Sequence, residues 1–222
     1  MGPVDRQEAR ITTLVFDYGG VLTNPLAETA GHFCRRTGLT PQELSAALHA
    51  AREADGAPAM AALETARITE EEFVDAMSRF LPKARERLAG RPFGALWFEG
   101  RRISEEMLDH VREARRRGLR TALFTNNVVE WRPRWRAQFD VDGLFDLVVD
   151  SSEEGVRKPD PAFYRILLER LRTDPEHCLL VDDTAENCEA ARALGMQAVE
   201  FTSPESMREA WRLVDGANGS AP

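Results

Sequence analysis

Carboxylates that could carry out chemistry stand at the ends of two apolar segments of this sequence. Asp17 follows "ITTLVF", and Asp182 and Asp183 follow "CLLV". If both segments are parallel strands of one sheet, the three carboxylates converge at the edge where such sheets bind ligands. Their mutual repulsion would be costly without a cation. Because Mg²⁺ prefers oxygen ligands, the pattern predicts a magnesium site.

Donors suited to a phosphoryl group occupy two further loops. Thr125 and Asn126 follow the apolar run "TALF", and Lys158 lies in "GVRKPDPAFY". Taken singly, each side chain could merely cap a turn or a helix. Together with a metal, a lysine and polar donors can neutralise a phosphoryl group during in-line attack. Asp17 is then the candidate nucleophile, which would form an aspartyl-phosphate.

The elements that must position these residues follow an alternating pattern. The segment "SEEMLDHVREARRRG" predicts an amphipathic helix with Ser104 at its N-cap and Gly118 at its end. The segments "PAFYRILLERL" and "TAENCEAARALG" predict two more. Helices between apolar runs favour an α/β fold with a parallel sheet. The predicted strands are 11–16, 121–124, 144–149, 178–181 and 197–201.

Residues 24–95 interrupt this alternation and contain no convincing strand. Thr40 and Thr69 are each followed three residues later by Glu, which is the capping box that begins many helices. We therefore predict an all-helical cap at 24–95, inserted into a core formed by residues 1–23 and 96–222.

Four segments together resemble the motifs of the haloacid dehalogenase superfamily. They are "VFDYGGVLT", "LFTNN", "GVRKPDPAFY" and "LLVDDTAENCEAARALGM", in this order. The resemblance is to subfamily IA, and residues 145–196 are most similar to the branch with the N-terminal phosphatase domain of soluble epoxide hydrolases and the related acyl-CoA dehydrogenase-fused domains. It implies a Rossmann-like core with a helical cap of the C1 type after the first motif.

The resemblance also implies a metal-ligand set. Asp17 would be both nucleophile and Mg²⁺ ligand, and Gly19 would contribute its backbone carbonyl. Asp183 would bind the metal directly, and Asp182 would act beside it through water.

Roles for the remaining motif residues follow in the same way. Thr125 and Asn126 would bind the phosphoryl oxygens, and Lys158 would neutralise both the nucleophile and the transferring phosphate. Asn187 stands where many relatives have another acid, and we expect it to orient a neighbouring side chain.

The sequence departs from the family pattern at Gly19, where most phosphatases of the superfamily have a second Asp as general acid and base. Losing such a group costs about 10²- to 10⁴-fold in rate unless the leaving group departs easily. Glu28 and His32, one helical turn apart at the start of the cap, are candidate replacements, although both could be solvated residues of a helix face.

Composition narrows the possible partners. The net charge of −8 argues against nucleic acid, because binding to phosphate backbones needs clustered Lys and Arg. No apolar run approaches the ~20 residues of a membrane span, and the first residues lack a signal segment, which predicts a cytoplasmic protein. Cys34, Cys178 and Cys188 lack metal-site spacing and are expected to be reduced and buried.

These observations predict a Mg²⁺-dependent phosphomonoester hydrolase that acts on a small phosphorylated metabolite. One alternative is a metal-independent haloacid dehalogenase, in which Asp17 attacks carbon. Asp182 and Asp183 argue against it, because uncompensated carboxylates would hinder that attack. Another alternative, suggested by Gly19, is a weakly active or non-catalytic protein that binds a phosphorylated ligand.

Overall fold

A five-stranded parallel sheet forms the centre of the protein, as seen in a computed structural model that describes residues 10–51, 56–81 and 83–218. The strand order is β3-β2-β1-β4-β5. This arrangement confirms the predicted α/β fold. The strands are β1 (Thr13–Phe16), β2 (Arg120–Thr125), β3 (Leu147–Asp150), β4 (Cys178–Asp182) and β5 (Gln197–Glu200).

The register of the sheet brings the ends of β1 and β4 together. Phe16, the last residue of β1, lies opposite Val181 of β4 and Leu123 of β2. The Asp17 amide continues this ladder by donating to the Val181 carbonyl at 2.9 Å. Since β1 is buried on both faces, as central strands of parallel sheets are, the polar side chains concentrate at the carboxyl ends.

Helices account for most of the remaining described chain. Six lie between β1 and residue 100, and seven follow, the first of which leads into β2. The first group is α1 (Leu26–Thr37), α2 (Pro41–Ala50), α3 (Ala59–Glu64), α4 (Glu70–Ser78), α5 (Ala84–Arg87) and α6 (Phe93–Glu99). The second group is α7 (Glu105–Arg116), α8 (Arg132–Arg136), α9 (Val141–Leu144), α10 (Ser151–Glu154), α11 (Pro161–Leu171), α12 (Ala185–Ala193) and α13 (Met207–Asn218).

Both predicted capping boxes are present. Thr40 accepts a hydrogen bond from the Glu43 amide, and Thr69 accepts one from the Glu72 amide. Each glutamate side chain in turn accepts a hydrogen bond from the threonine amide. Because these reciprocal bonds satisfy orphan amides at the first turn, they set where α2 and α4 begin.

The helical insertion contributes most of a separate apolar cluster, which Val128 and Trp131 complete. Phe33 and Phe93 rings lie 4.6 Å apart, and Phe73 packs edge-on against Phe93 at 5.5 Å. Helix α6 spans residues 95 and 96, where the predicted cap ends, and it packs against α1. The division of the chain into cap and core at these residues stays a prediction.

The segment before β3 differs from its predicted structure. Residues 144–149 were expected to be one strand, but Val141–Leu144 form α9, and β3 starts at Leu147. The reason is local, since the Asp140 side chain accepts from the Gly143 amide at 3.0 Å and caps this turn.

Two further observations concern the cysteines and the length of the apolar helices. All three cysteines are free and buried. Among the described residues, no helix combines the length and apolar character that a membrane crossing requires.

Candidate active site

Three carboxylates meet where β1 and β4 end. Asp17, Asp182 and Asp183 each offer an oxygen, and these oxygens all lie within 4.8 Å of one another. Asp17 and Asp182 are buried, whereas Asp183 is partly exposed. The parallel register explains the convergence, because Asp17 and Asp182 follow the paired residues Phe16 and Val181.

Lys158 lies between two of these carboxylates. Its Nζ donates to Asp17 Oδ1 at 2.7 Å and to Asp182 Oδ2 at 2.6 Å, and a third bond reaches the Phe124 carbonyl at 2.9 Å. Burial acts to lower the pKa of the ammonium, but the attraction of Asp17 and Asp182 outweighs it and raises that pKa. Lys158 is therefore a permanent buried cation.

The nucleophile candidate has a perturbed acidity. Burial raises the pKa of the Asp17 carboxyl to about 7, and Asp182 and Asp183 act in the same direction, while Lys158 opposes them. Burial and then Asp182 raise the pKa of Asp183 as well. A carboxyl that is buried beside others gains a proton easily unless further positive charge arrives.

Asp182 is held by hydrogen bonds on both oxygens. Its Oδ1 accepts from the Thr184 amide at 3.0 Å and from Asn187 Nδ2 at 2.8 Å, while its Oδ2 accepts from Lys158. Asn187 thus makes the orienting contact that the sequence predicts. Asp183 is held less tightly, because Thr184 Oγ1 donates to its Oδ1 at a long 3.4 Å and, unlike Asp182, it is partly exposed.

Thr125 and Asn126 stand at the carboxyl end of β2, and Asn126 contacts the loop that contains Lys158. Asn126 Nδ2 donates to the Lys158 carbonyl at 3.1 Å, and the Lys158 amide donates to Asn126 Oδ1 at 2.9 Å. The Asn126 amide group is therefore engaged in positioning the backbone of Lys158. Thr125 is buried, and its hydroxyl donates to the Asn126 carbonyl at 3.4 Å.

The two glycines after Asp17 are not equivalent. Gly20 has φ +86°, and a Cβ there would lie 2.1 Å from Asp183 Oδ2. Gly19 has φ −77°, which any residue adopts, and the atom nearest to its Cβ position is Arg101 Nη1 at 3.3 Å. Only Gly20 is required both by the backbone and by the close approach of a candidate ligand.

This difference predicts the outcome of a matched pair of substitutions. Gly20→Ala should displace Asp183, weaken metal binding at least tenfold and destabilise the fold by about 1–2 kcal/mol, because the left-handed conformation penalises a side chain. Gly19→Ala should change both quantities little. Isothermal titration with Mg²⁺ and thermal melting measure the two effects, and equal effects of the two substitutions would contradict this account of the turn.

A cavity of about 660 Å³ opens over the carboxylates. Its floor contains Asp17, Lys158 and Asp183, and its roof is largely apolar and comes from the helical insertion and neighbouring loops. A substrate would thus meet charged residues of the cluster and a surface from the insertion that is mostly apolar but includes Ser45, His49 and Glu64. The apolar and aromatic lining consists of Tyr18, Leu26, Ala27, Ala30, Pro41, Leu44, Leu48, Met60, Phe93, Trp97, Phe98, Trp131 and Pro159.

The two candidate replacements for the missing acid do not line this cavity. Glu28 is exposed and forms an ion pair with Arg102 at 2.6 Å. His32 packs against Gly100, and its Nε2 lies 3.9 Å from Glu99. Helix α1 turns Leu26, Ala27 and Ala30 toward the cavity instead.

Arg101 is a site residue that the sequence analysis missed. It lines the cavity, is only 8% exposed, and its Nη1 donates to Thr23 Oγ1 at 2.9 Å. Burial lowers the pKa of its guanidinium, against the opposing pull of Tyr18, Asp17 and Asp183. No motif surrounds Arg101, so its only sequence signal is its position just before the α7 cap.

The donor set fits Mg²⁺. All side-chain donors of the cluster are carboxylate oxygens, which are hard ligands, and Lys158 supplies a single positive charge to three acids. A divalent cation would supply the charge that remains. Asp17 and Asp183 are the available side-chain ligands, because Asp182 is already held by Lys158, Thr184 and Asn187.

Comparison with known proteins agrees with this arrangement. The family model "haloacid dehalogenase-like hydrolase" matches residues 11–195. Over 197 residues the chain is 34% identical to Phosphatase MT3486 of Mycobacterium tuberculosis, a match that covers 85% of this chain and 86% of that protein.

Longer proteins match over a shorter region. Acyl-CoA dehydrogenase family member 10 of Mus musculus is 34% identical over 105 residues, which are 45% of this chain and 9% of that protein. Bifunctional epoxide hydrolase 2 of Sus scrofa is 28% identical over 103 residues, 19% of its length. The chain therefore corresponds to a small part of either protein.

Solved structures share the fold. The family enzyme BT-2542 of Bacteroides thetaiotaomicron, in complex with magnesium and inorganic phosphate, superposes with a TM-score of 0.64. Its sequence is 22% identical, and the match covers 86% of this chain and 93% of that one.

Proposed function

This chain belongs to the haloacid dehalogenase-like hydrolases, and on that premise we propose that it is a Mg²⁺-dependent phosphatase of small phosphorylated metabolites that works through an aspartyl-phosphate on Asp17. The observation that carries the proposal is the position of Lys158 Nζ, within 2.7 Å of both Asp17 and Asp182 beside the third acid. The phosphatase among the relatives and the magnesium and phosphate bound to BT-2542 support it.

Lys158 prepares Asp17 for attack. The ammonium holds Asp17 Oδ1 at 2.7 Å and offsets the burial that would otherwise favour the protonated carboxyl. An ionised carboxylate is required, because the lone pair that attacks phosphorus must be free. Asn126 supports this by bonding the backbone of Lys158 on both sides.

The charges at this site suit a phosphoester as the substrate. When bound, Mg²⁺ would supply Lewis acidity to the phosphoryl oxygens and offset the repulsion of the anionic ester by the acids. Asp17, Asp183 and the Gly19 carbonyl are the groups we propose to hold it. Thr125 and Asn126, at the end of β2, are proposed to face the oxygens of the phosphoryl group.

The experiment is a phosphate-release assay on a panel of small phosphoesters with and without divalent metal. EDTA should abolish release, and Mg²⁺ should restore it. Asp183→Asn should raise the Mg²⁺ concentration needed for half-maximal rate at least tenfold without lowering the melting temperature. As a matched control, Asp160→Asn should behave as wild type, because Asp160 is exposed, is not one of the three clustered acids, and caps α11 through a bond that Asn can also make. Full activity in EDTA, or chloride release from 2-chloropropionate in its place, would overturn the proposal.

A further inference from the structure

Arg101 carries a positive charge that Asp17 and Asp183 attract without pairing with it directly. Among the described residues it makes no ion pair within 4.0 Å, and its buried Nε has no hydrogen-bond partner. The guanidinium lies instead between aromatic rings, 5.6 Å from the Tyr18 centroid and 5.9 Å from the Trp97 centroid. Burying an unpaired charge is costly, so a partner anion is expected to arrive with the ligand.

The guanidinium occupies the place of the missing acid. Its Nη1 lies 3.3 Å from the Cβ position of Gly19, where the side chain of an acid at that position would begin. A carboxylic acid there would donate a proton to the departing oxygen. An arginine does not give up its proton near neutral pH, but it can stabilise an oxygen that departs as an anion.

The other end of the cavity is complementary to an apolar body. Leu44, Leu48, Met60, Phe93 and Trp97 line it. Apolar surface buried there contributes roughly 25 cal/mol per Å², whereas the insertion offers a sugar or another polar alcohol only Ser45, His49 and Glu64 as side-chain hydrogen-bond partners among the described lining residues.

We propose that Arg101 is a catalytic residue that binds the leaving-group oxygen, and that the substrates are apolar acyl or aryl phosphates, whose leaving groups depart as carboxylate or phenolate. This proposal rests on the proposed phosphatase function and names its substrate class. The shared chemistry is an apolar body joined to phosphorus through an oxygen that is stable as an anion.

The reaction balances without a general acid. Asp17 forms a bond to phosphorus while the bond from phosphorus to the leaving oxygen breaks. The electron pair stays on that oxygen, and Arg101 donates a hydrogen bond to it. Water then attacks phosphorus and the bond to Asp17 breaks, which restores the carboxylate. One proton of the water remains on the released phosphate and the other goes to solvent.

A series of substituted phenyl phosphates tests Arg101 directly. The value of kcat/KM reports the first transfer, even when the second is slow. Arg101→Met should lose on the order of 10²- to 10³-fold with phenyl phosphate and less with para-nitrophenyl phosphate, whose phenolate needs less stabilisation. The dependence of the rate on leaving-group pKa should thus become steeper. Arg101→Lys keeps the charge and should keep more of the activity.

Controls separate this role from a structural one. Arg102→Met changes the neighbouring arginine, which is exposed and paired with Glu28, and should leave the whole series unchanged. Arg101→Met should not lower the melting temperature, because it removes an unpaired buried charge. If Arg101→Met lowered every rate by the same factor, or if it left all rates unchanged, the proposal would be overturned.

A second set of substrates tests the proposed substrate class. Octanoyl phosphate and phenyl phosphate should exceed octyl phosphate and acetyl phosphate in kcat/KM, and the faster of the first two identifies the preferred source of the anion. Equal turnover of octyl phosphate would overturn the proposal. Every substrate is also tested with Asp17→Asn and with EDTA. Activity that survives both treatments contradicts the phosphatase function itself. If both treatments abolish activity but Arg101→Met affects all leaving groups equally or not at all, only this inference is contradicted.

Discussion

Lys158→Ala is expected to lower kcat/KM by about 10³-fold, which is the scale for removing a preorganised electrostatic group from an active site. Two carboxylates then face each other without the ammonium that lies 2.7 Å from Asp17 and 2.6 Å from Asp182. The pKa of Asp17, already raised by burial, should rise further, so that a smaller fraction of Asp17 is the ionised carboxylate that can attack. Steady-state kinetics on a responsive phosphoester measures the loss.

The sequence provides a matched control for this substitution. Lys83 is the only other lysine, and it is exposed, with its Nζ 3.6 Å from Glu86. Lys83→Ala should therefore leave kcat/KM within about twofold, since exposed ion pairs contribute little. Circular dichroism must show that Lys158→Ala is folded, because breaking a buried ion pair costs about 3–5 kcal/mol. A folded Lys158→Ala protein with normal activity would refute the role of the lysine.

Asp17→Asn is expected to lower kcat by about 10⁴-fold or more, as removal of a nucleophile does in other enzymes. The amide is nearly the same size but has no lone pair suited to attack on phosphorus. Thermal stability should not fall with activity. Because burial disfavours the charged Asp17, the neutral amide should leave the melting temperature unchanged or raise it.

Asp150 is the control for this second substitution. It lies at the carboxyl end of β3, is buried like Asp17, and accepts hydrogen bonds from the Ser152 amide and hydroxyl. It takes no part in the three-acid cluster. Asp150→Asn retains the cap of α10 and should keep activity within a few-fold. Comparable losses for the two aspartates would mean that burial of charge in general, and not attack by Asp17, limits the rate.

The sheet and its polar end could be predicted because short-range rules define them. Parallel strands end on one side, so an Asp after "ITTLVF" and a pair after "CLLV" had to converge. Capping boxes marked the beginnings of α2 and α4 for the same local reason. Lys158 could be placed from the sequence in a loop near the carboxylates, but its direct role toward Asp17, 141 positions away, was implied by the resemblance.

The contacts between the insertion and the core could not be predicted in this way. Glu28 and His32 have suitable chemistry, but the rotation of α1 decides which of its faces meets the cavity, and that rotation depends on packing among several helices. Arg101 lies in a loop before α7, and nothing in its neighbours indicates that Thr23, Tyr18 and Trp97 surround it. Tertiary packing alone assigns it to the site.

The turn after Asp17 could be predicted only in part. Its two glycines predict a sharp change of direction, but the sequence treats them alike. The structure assigns the positive φ and the close approach of Asp183 to Gly20, and leaves Gly19 with an ordinary backbone. At position 19 the backbone would accept an acid, which would lie beside Arg101. We expect the ion pair to lower the pKa of that acid and to weaken it as a proton donor.

The most direct test of the central claim is to trap the phosphorylated enzyme. With Mg²⁺ and a phosphoester that has a good leaving group, the first transfer should outpace hydrolysis, because no acidic side chain stands at Gly19 to activate water. Acid quenching within milliseconds, followed by peptide mass spectrometry, should then find one phosphoryl group on Asp17, absent from Asp17→Asn and from samples in EDTA. Release of phosphate at full rate with no phosphoryl group on Asp17 at any quench time would contradict the account.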